Sequence, residues 1–392
     1  MLDDTAPLTQ AARRSRLRLL LLAAFTSTCD RFAIAPLLVV IAADLGVPLG
    51  GAATAASVYY LTYGLMQPVW GLLSERIGRV RTMRLSLLGA TAAGLGSALA
   101  PNLATLTVAR AVTGGFFSAV IPASLVYVGD TWPPAVRQRP LSDIMAATAV
   151  GTGLATLGAG LVAQFLDWRL AFAATALAGG VLWGALRRLP EPAWQRTAVS
   201  PFRLLAGVVR EPWAALVLVL TFVEGAVVLG VLTYLAPALE TRGATAAVAG
   251  LVAGAYGAGA LVWSRLVKAL VGRLPPPWLA GIGGGLLLLG WAAPSVAVGT
   301  GTVLVAGLLL GGGWAFMHST LQDWATDVTP WARATAVSLF AAALFLGSAA
   351  GTALAAPLAD AGAFGRIFRT ALLLVVPLTA AVTLGRWQYQ RR

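Results

Sequence analysis

Twelve long apolar runs, separated mostly by short polar stretches, leave this chain few ways to fold. They fall at about 17–43, 52–73, 83–99, 104–127, 142–165 and 170–187, then at 213–236, 245–266, 277–297, 302–321, 335–357 and 367–385. A helix crossing a bilayer needs roughly 20 apolar residues, and each run is close to that length. The composition agrees: 58% of the 392 residues are hydrophobic and 11% are charged. A soluble domain carries about 25% charged and about 45–50% apolar residues. Without a lipid-facing surface this chain is too apolar to fold in water. The expectation is an all-α membrane protein with twelve transmembrane helices. The first run is too long for a signal-peptide core and reads as a span that stays in the protein. The run at 367–385 is the weakest, because Arg366 and Arg369 crowd its start.

The basic residues set an orientation. Of the 28 Lys and Arg residues, 22 lie in the N-terminal segment, the even-numbered loops and the C-terminal segment. Arg169, Arg242, Arg366 and Arg369 lie in the odd-numbered loops, and Arg31 and Arg110 lie inside runs. Cytoplasmic loops carry the excess of Lys and Arg. Both termini are therefore expected in the cytoplasm of a multi-pass protein of the cytoplasmic membrane. The net charge of +13 is spread over loop clusters in this pattern, which argues against a nucleic-acid partner. The one long polar stretch, 188–212, holds Pro190, Pro192, Pro201 and Pro212. It reads as a cytoplasmic linker between a six-helix half at 1–187 and another at 213–392. The single cysteine, Cys29, excludes an intramolecular disulfide framework and reads as a small core residue.

The halves repeat. A shift of 194 places Asp30 on Glu224, Gly78-Arg79 on Gly272-Arg273, Arg139 on Arg333 and Gly153 on Gly347. Four matches at one offset, at equivalent points of two hydropathy profiles, indicate parallel repeats. Transporters with this plan bind substrate between the repeats near the midplane.

The loop after the second run reads Gly71-Leu72-Leu73-Ser74-Glu75-Arg76-Ile77-Gly78-Arg79-Val80-Arg81. It resembles the signature loop of the major facilitator superfamily (MFS), G-x-L-[SA]-[DE]-R-x-G-R-[KR]-x, departing at Val80. Leu106-x-x-x-Arg110-x-x-x-Gly114 resembles the fourth-helix motif of that family. Asp30-Arg31 followed by Ala33-Ile34-Ala35-Pro36 resembles the first helix of many bacterial exporters in it, and Trp168, Arg169 and Phe172 resemble the entry to the sixth helix. The resemblance covers essentially the whole chain and implies the MFS fold. One feature departs: Ala155-Thr156-Leu157-Gly158-Ala159-Gly160 lacks the proline of the fifth-helix motif of proton-coupled antiporters. In the family, the acid of the signature loop caps a helix of the opposite half. Here that places Glu75 near Arg333 to Ala336, and Arg79 against Asp130. By resemblance these contacts hold the outward-open state. Gly71, Arg76 and Gly78 complete this conformational-switch loop.

Asp30, Arg110 and Glu224 are the candidate proton-coupling or substrate residues. An ionisable residue inside a span is costly and faces a partner, the bundle interior or water. Counting helical rise from each run's start puts Asp30 and Arg110 at similar depth, so they are natural partners. Thr26 lies four residues before Asp30 and Thr221 three before Glu224, which gives each helix a polar face. Arg31 points about 100° away from Asp30 and reads as a snorkelling residue. Tyr60, Tyr256 and Trp314 are cavity candidates, as is His318, placed near the inner end of the tenth span. Gly151-x-Gly153 and Gly158 read as helix-packing positions. Gly311-Gly312-Gly313 reads equally as a hinge or a substrate contact.

No metal site, cofactor or catalytic pair is expected, so the chain does not read as an enzyme. The expected function is secondary active transport of a small molecule by alternating access, as proton-coupled efflux of a drug, sugar or metabolite. The alternative is a proton-coupled importer of an organic acid or nutrient, with Arg110 binding the anion. The expected partners are the substrate, protons and the lipid bilayer, with a monomer as the working unit.

Overall fold

The computed structural model describes residues 10–192 and 201–391. Among these residues the chain is helical apart from its turns, with one isolated bridge between Val271 and Leu274. Nine described helices, from Leu103–Thr131 to Phe364–Gln390, are long and apolar enough to cross a membrane. Gln10–Ala33, Leu49–Ile77 and Arg79–Ala98 bring the spans to twelve. They have spanning length but are more polar. The first carries Asp30 and four arginines before it, the second Tyr59, Tyr60, Tyr63 and Gln67, and the third begins with three arginines. The expectation that the last span would be weakest is therefore reversed. Phe364–Gln390 is long enough that Arg366 and Arg369 occupy one end and an uninterrupted apolar stretch follows.

Several spans are bent where the sequence cannot hold a regular α-helix. The first passes through a short 3-10 turn, Ala35–Leu37, at Pro36 and resumes as Leu38–Leu45. Proline lacks the N–H that would continue the ladder. The fourth is broken between Leu103–Phe117 and Val120–Thr131. The seventh runs Pro212–Gly225, widens into a π-helical turn at Ala226–Gly230 and ends as Leu235–Glu240. Such π-bulges concentrate at functional sites.

Each half forms its own bundle. In the first, span one packs on five and six, three on four and six, and two on four; in the second, nine packs on ten and twelve, eight on ten, and seven on eleven. The halves meet along two seams, span two on eleven and span five on eight. Exchanging the halves converts one seam into the other, as a pseudo-two-fold axis requires. Large apolar side chains such as Leu65, Val181 and Leu354 remain uncovered on the outside of the bundle. In a membrane that surface faces lipid.

The seams use different chemistry. Between spans five and eight the backbones touch: a methyl group on Gly254 would lie 3.0 Å from the Gly153 carbonyl oxygen, and Gly160 and Gly250 leave even less room. Small residues permit this approach. Between spans two and eleven, aromatic rings do more of the filling. Phe345 lies 4.3 Å from Tyr63 and stacks on Tyr60, and Ser57 donates a hydrogen bond to the Ala349 carbonyl at 2.9 Å. At the arginine-poor face each seam ends in a cap. Asp360, ending span eleven, accepts the Gly50 N–H of span two. Gln164, ending span five, accepts the Ala247 N–H of span eight at 3.2 Å. The first turn of a helix has unpaired N–H groups that such oxygens satisfy.

The polar stretch at 188–212 is not all loop. Residues 193–200 lie outside the described set, but Pro201–Arg210 is a helix. Its Val208 packs with Ala214, Ala332 and Ala336, at the arginine-rich ends of spans seven and eleven. The prolines flank or start this helix, where they are tolerated, so an amphipathic segment hides inside a polar stretch.

Candidate functional site

Asp30 and Arg110 meet in the interior of the first half. Both side chains have 0% exposure. Arg110 Nη1 donates to both Asp30 carboxylate oxygens, at 3.1 and 3.0 Å, and Nη2 donates to the Asp30 carbonyl at 3.0 Å. Thr175 of the sixth span donates to Asp30 Oδ1 at 2.9 Å. The guanidinium lies between the rings of Tyr59 and Phe172, 4.4 and 4.5 Å from their centroids. Spans one, two, four and six thus converge on one ion pair. Removing one partner of such a pair costs about 3–5 kcal/mol, because it strands a buried charge.

Glu224 is held differently. It too has 0% exposure, but only its Oε2 is bonded, to His318 Nδ1 at 3.0 Å. Its Oε1 is buried without a hydrogen-bond partner. His318 is 18% exposed along its side chain. It stacks on Trp314, one helical turn back, at 3.8 Å between centroids, and tilts against Phe340 at 5.0 Å. The backbone around Glu224 is tight: Gly225 lies against the Leu344 carbonyl and Gly347 against that of Phe222, with no room for a methyl group at either. The π-helical turn begins two residues after Glu224. His318 is therefore not at the end of its span. The tenth helix runs on to Val328, seven residues past the apolar run, which brings His318 close to mid-span.

The threonines expected beside these acids do not bond them. Thr221 donates to the Val217 carbonyl at 2.7 Å, a bond within its own helix that helical geometry offers any threonine. Asp30 takes Thr175 instead of Thr26. Tyr60 is buried and lines a narrow cavity between the halves. Tyr256 is buried 6.5 Å from Phe32, its hydroxyl unpartnered. Arg31 does not snorkel to the lipid surface. It is 9% exposed and borders the same cavity, because the 100° turn from Asp30 points toward the seam between the halves.

At the arginine-rich face, Gly71 and Arg76 are exposed and Glu75 is half-buried near the end of the second span. A methyl group on Gly71 would lie 3.9 Å from Ser338 Oγ of span eleven. Gly78 has φ +102°, a backbone region in which side chains are strained. Arg79 Nε bonds Asp130 Oδ2 at 3.2 Å and Arg79 Nη1 bonds Ser74 Oγ at 3.1 Å. Both groups belong to the first half, and the pair is intact while the arginine-poor ends of the two halves are joined.

Sequence reasoning missed several anchors. Glu191 accepts the Val80 and Arg81 N–H groups at 3.0 and 3.1 Å, capping the third span. Arg386 of span twelve bonds Asp323 and Asp327 of span ten at 3.0 and 2.6 Å. At the arginine-poor rim, Arg169 at 2.8 Å and Trp168 at 3.1 Å both donate to Asp44 Oδ2. No local pattern marks Glu191, which lies 111 residues from the Val80 N–H it accepts. Arg386 lies 63 and 59 residues from Asp323 and Asp327 on a separate helix, which leaves no local signal either.

A bundle of two repeated six-helix halves, with buried charges on either side of the dividing seam, defines a polytopic membrane transporter. The sequence profile described as the Major Facilitator Superfamily matches residues 20–352; the chain belongs to this family, whose members are transporters and not enzymes. It is 29% identical over 381 residues to a chloramphenicol resistance protein of Streptomyces lividans, covering 93% of this chain and 95% of that one. A shorter match, 30% over 127 residues, joins 32% of this chain to 25% of the puromycin resistance protein pur8 of Streptomyces alboniger. Among solved structures, the nucleoside transporter NupG superposes with a TM-score of 0.79 at 12% identity, covering 94% of this chain and 99% of that one. A bacterial homolog of the human lysosomal transporter Spinster, in an inward-facing and unoccupied conformation, gives 0.77 at 16% identity, covering 98% and 99%. These two likenesses concern the fold.

Proposed function

We propose that this chain is a proton-coupled exporter of a small molecule, with the Glu224–His318 pair as its proton site. The observation that carries the proposal is the unequal bonding of Glu224. One oxygen meets the chain's single histidine and the other meets nothing, within a fully buried carboxylate. A proton on Oε1 would remove a buried negative charge that has only one hydrogen-bonded oxygen. A charged Glu224 would rely on His318. Binding and release of a proton at this pair therefore changes the charge of the central layer, which is what coupling needs. Asp30 and Arg110 serve as the ionic pivot of the first half, and Tyr60, Tyr256 and Trp314 line the path.

Alternating access rocks residues 1–187 against 213–392 as a monomer, with the arginine-rich face in the cytoplasm. The caps at Asp360 and Gln164 then close the extracellular side. The Arg79–Asp130 pair and the Gly71–Arg81 loop stiffen the cytoplasmic side of the first half. Efflux as the direction draws support from the resistance protein of Streptomyces lividans, similar along nearly its whole length. Import of an organic acid is the opposite use of the same cycle.

Everted membrane vesicles test the proposal. With an imposed pH gradient, export appears as compound-dependent proton release from the vesicle lumen across a panel of antibiotics, sugars and organic acids. Proton movement with uptake in right-side-out vesicles would establish import. Reporter fusions after Gly46 and after Arg188 should report opposite sides, and a cytoplasmic signal from the Gly46 fusion would overturn the orientation.

A further inference from the structure

Arg31 has no role in the arrangement described so far. It is nine-tenths buried, with its Nε sealed from solvent and unbonded. Its guanidinium carbon lies 5.1 Å from the Phe32 ring centroid and 5.2 Å from those of Tyr63 and Phe345. No described carboxylate is ion-paired with it. The two nearby buried acids are committed elsewhere: Asp30 is taken by Arg110 and Thr175, and Glu224 Oε2 by His318 while its Oε1 bonds nothing. Ring faces offset part of the cost of burying a cation, about 0.5–2 kcal/mol each. An unpaired charge in the protein interior costs several kcal/mol.

Arg31 faces a gap between the halves with room for about one water in this conformation, which rocking of the halves must widen to admit cargo. It lines a narrow cavity with Phe32, Tyr60, Thr152, Thr156 and Thr233. These residues come from spans one, two, five and seven, so the cavity spans both halves and changes shape when they rock. One fixed cation between aromatic walls matches an oxyanion carried on an apolar body; the Thr152, Thr156 and Thr233 hydroxyls donate to carbonyls of their own helices and would have to turn to join it. A guanidinium presents its donors as a fork that fits a carboxylate.

We infer that Arg31 binds the anionic group of the cargo, which is a small organic carboxylate with an apolar or aromatic body. The inference rests on the transport reading and narrows its substrate class. It also reassigns anion binding from Arg110, whose Nη groups Asp30 already occupies, to the neighbouring residue of the same helix as Asp30.

Two measurements on purified, detergent-solubilised protein test it. The first needs no ligand. Arg31→Met replaces an uncompensated charge with an apolar side chain of similar length and should raise the apo Tm by a few degrees, as removal of a binding-site charge commonly does. A lower Tm in Arg31→Met, restored in Arg31→Lys, would make Arg31 a structural cation–π anchor and overturn the inference. The second uses tryptophan fluorescence to compare benzoate, 4-phenylbutyrate and octanoate with their primary amides. At least one carboxylate should bind about tenfold more tightly than its amide, the range of one charge-assisted hydrogen bond. The preference should vanish in Arg31→Met. Equal binding of acid and amide across the three pairs, or a preference that survives Arg31→Met, overturns the inference. Failure of the coupling proposal is distinct: the carboxylate preference would remain while Glu224→Gln left proton movement unchanged.

Discussion

Asp30 and Glu224 occupy equivalent places in the two halves, 194 residues apart, and the protein treats them in opposite ways. Asp30 accepts from an arginine at both oxygens and from a threonine at one. Glu224 has one bonded oxygen, a histidine that reaches solvent in part, and a distorted helix beside it. Arginine keeps its charge at any physiological pH. Histidine changes charge within that range. A repeated acid has become a fixed pivot in one half and, under the proposed function, a proton port in the other.

Ranked by effect on folding, four substitutions can break or sharpen this contrast. Arg110→Leu strands the Asp30 carboxylate and should cost about 3–5 kcal/mol, read as loss of folded protein from the membrane fraction. Combining it with Asp30→Leu should restore most of that yield, since an apolar pair of similar volume is often as stable as a buried ion pair. If the single Arg110 variant folds as well as the parent, the pivot reading fails. Asp30→Asn keeps the shape but loses charge-assisted bonding, about 1–3 kcal/mol. Vesicles carrying it should still concentrate substrate against a gradient; loss of accumulation with intact exchange would return the coupling role to Asp30.

Glu224→Gln should change stability by about 1 kcal/mol or less, because an amide fills the same space and its oxygen can still meet His318. Its effect should fall on coupling: exchange down a gradient persists and pH-driven accumulation stops. His318→Gln is expected to be the mildest for folding. It should flatten the pH dependence of transport while leaving the melting temperature within a few degrees of the parent. Unchanged pH dependence in both Glu224→Gln and His318→Gln would remove the contrast altogether.

The span count, the repeat and the family were legible because each rests on linear order: apolar runs, an offset, a loop motif. Asp30 and Arg110 could be paired from sequence because helical rise gives depth. Rotation about a helix is harder to read. The 100° step from Asp30 to Arg31 was visible, but whether it led to lipid or to the seam depends on which faces the other spans occupy. His318 was misplaced for a different reason. Its helix extends past the apolar run to Val328, so depth counted from the run's end came out too shallow. Its partner lies 94 residues away on a helix that only tertiary packing brings near. Glu191 and Asp360 act as caps for helices they do not precede, and no local pattern marks such an acid.

The exchanged caps at the arginine-poor face bear on how such a chain could have arisen. Gln164 closes the first turn of a helix in the second half, and Asp360 closes the matching turn in the first. In a dimer of identical six-helix subunits related by a two-fold axis, one residue would make this contact twice, each subunit finishing a helix of its neighbour. Fusion into a single gene releases the two copies from that identity. Here one cap is an amide and the other a carboxylate, which adds the attraction of a negative charge for a helix start. Each of these two oxygens comes from the opposite half, while Thr245 of the second half also accepts the Val248 N–H at the start of its own helix.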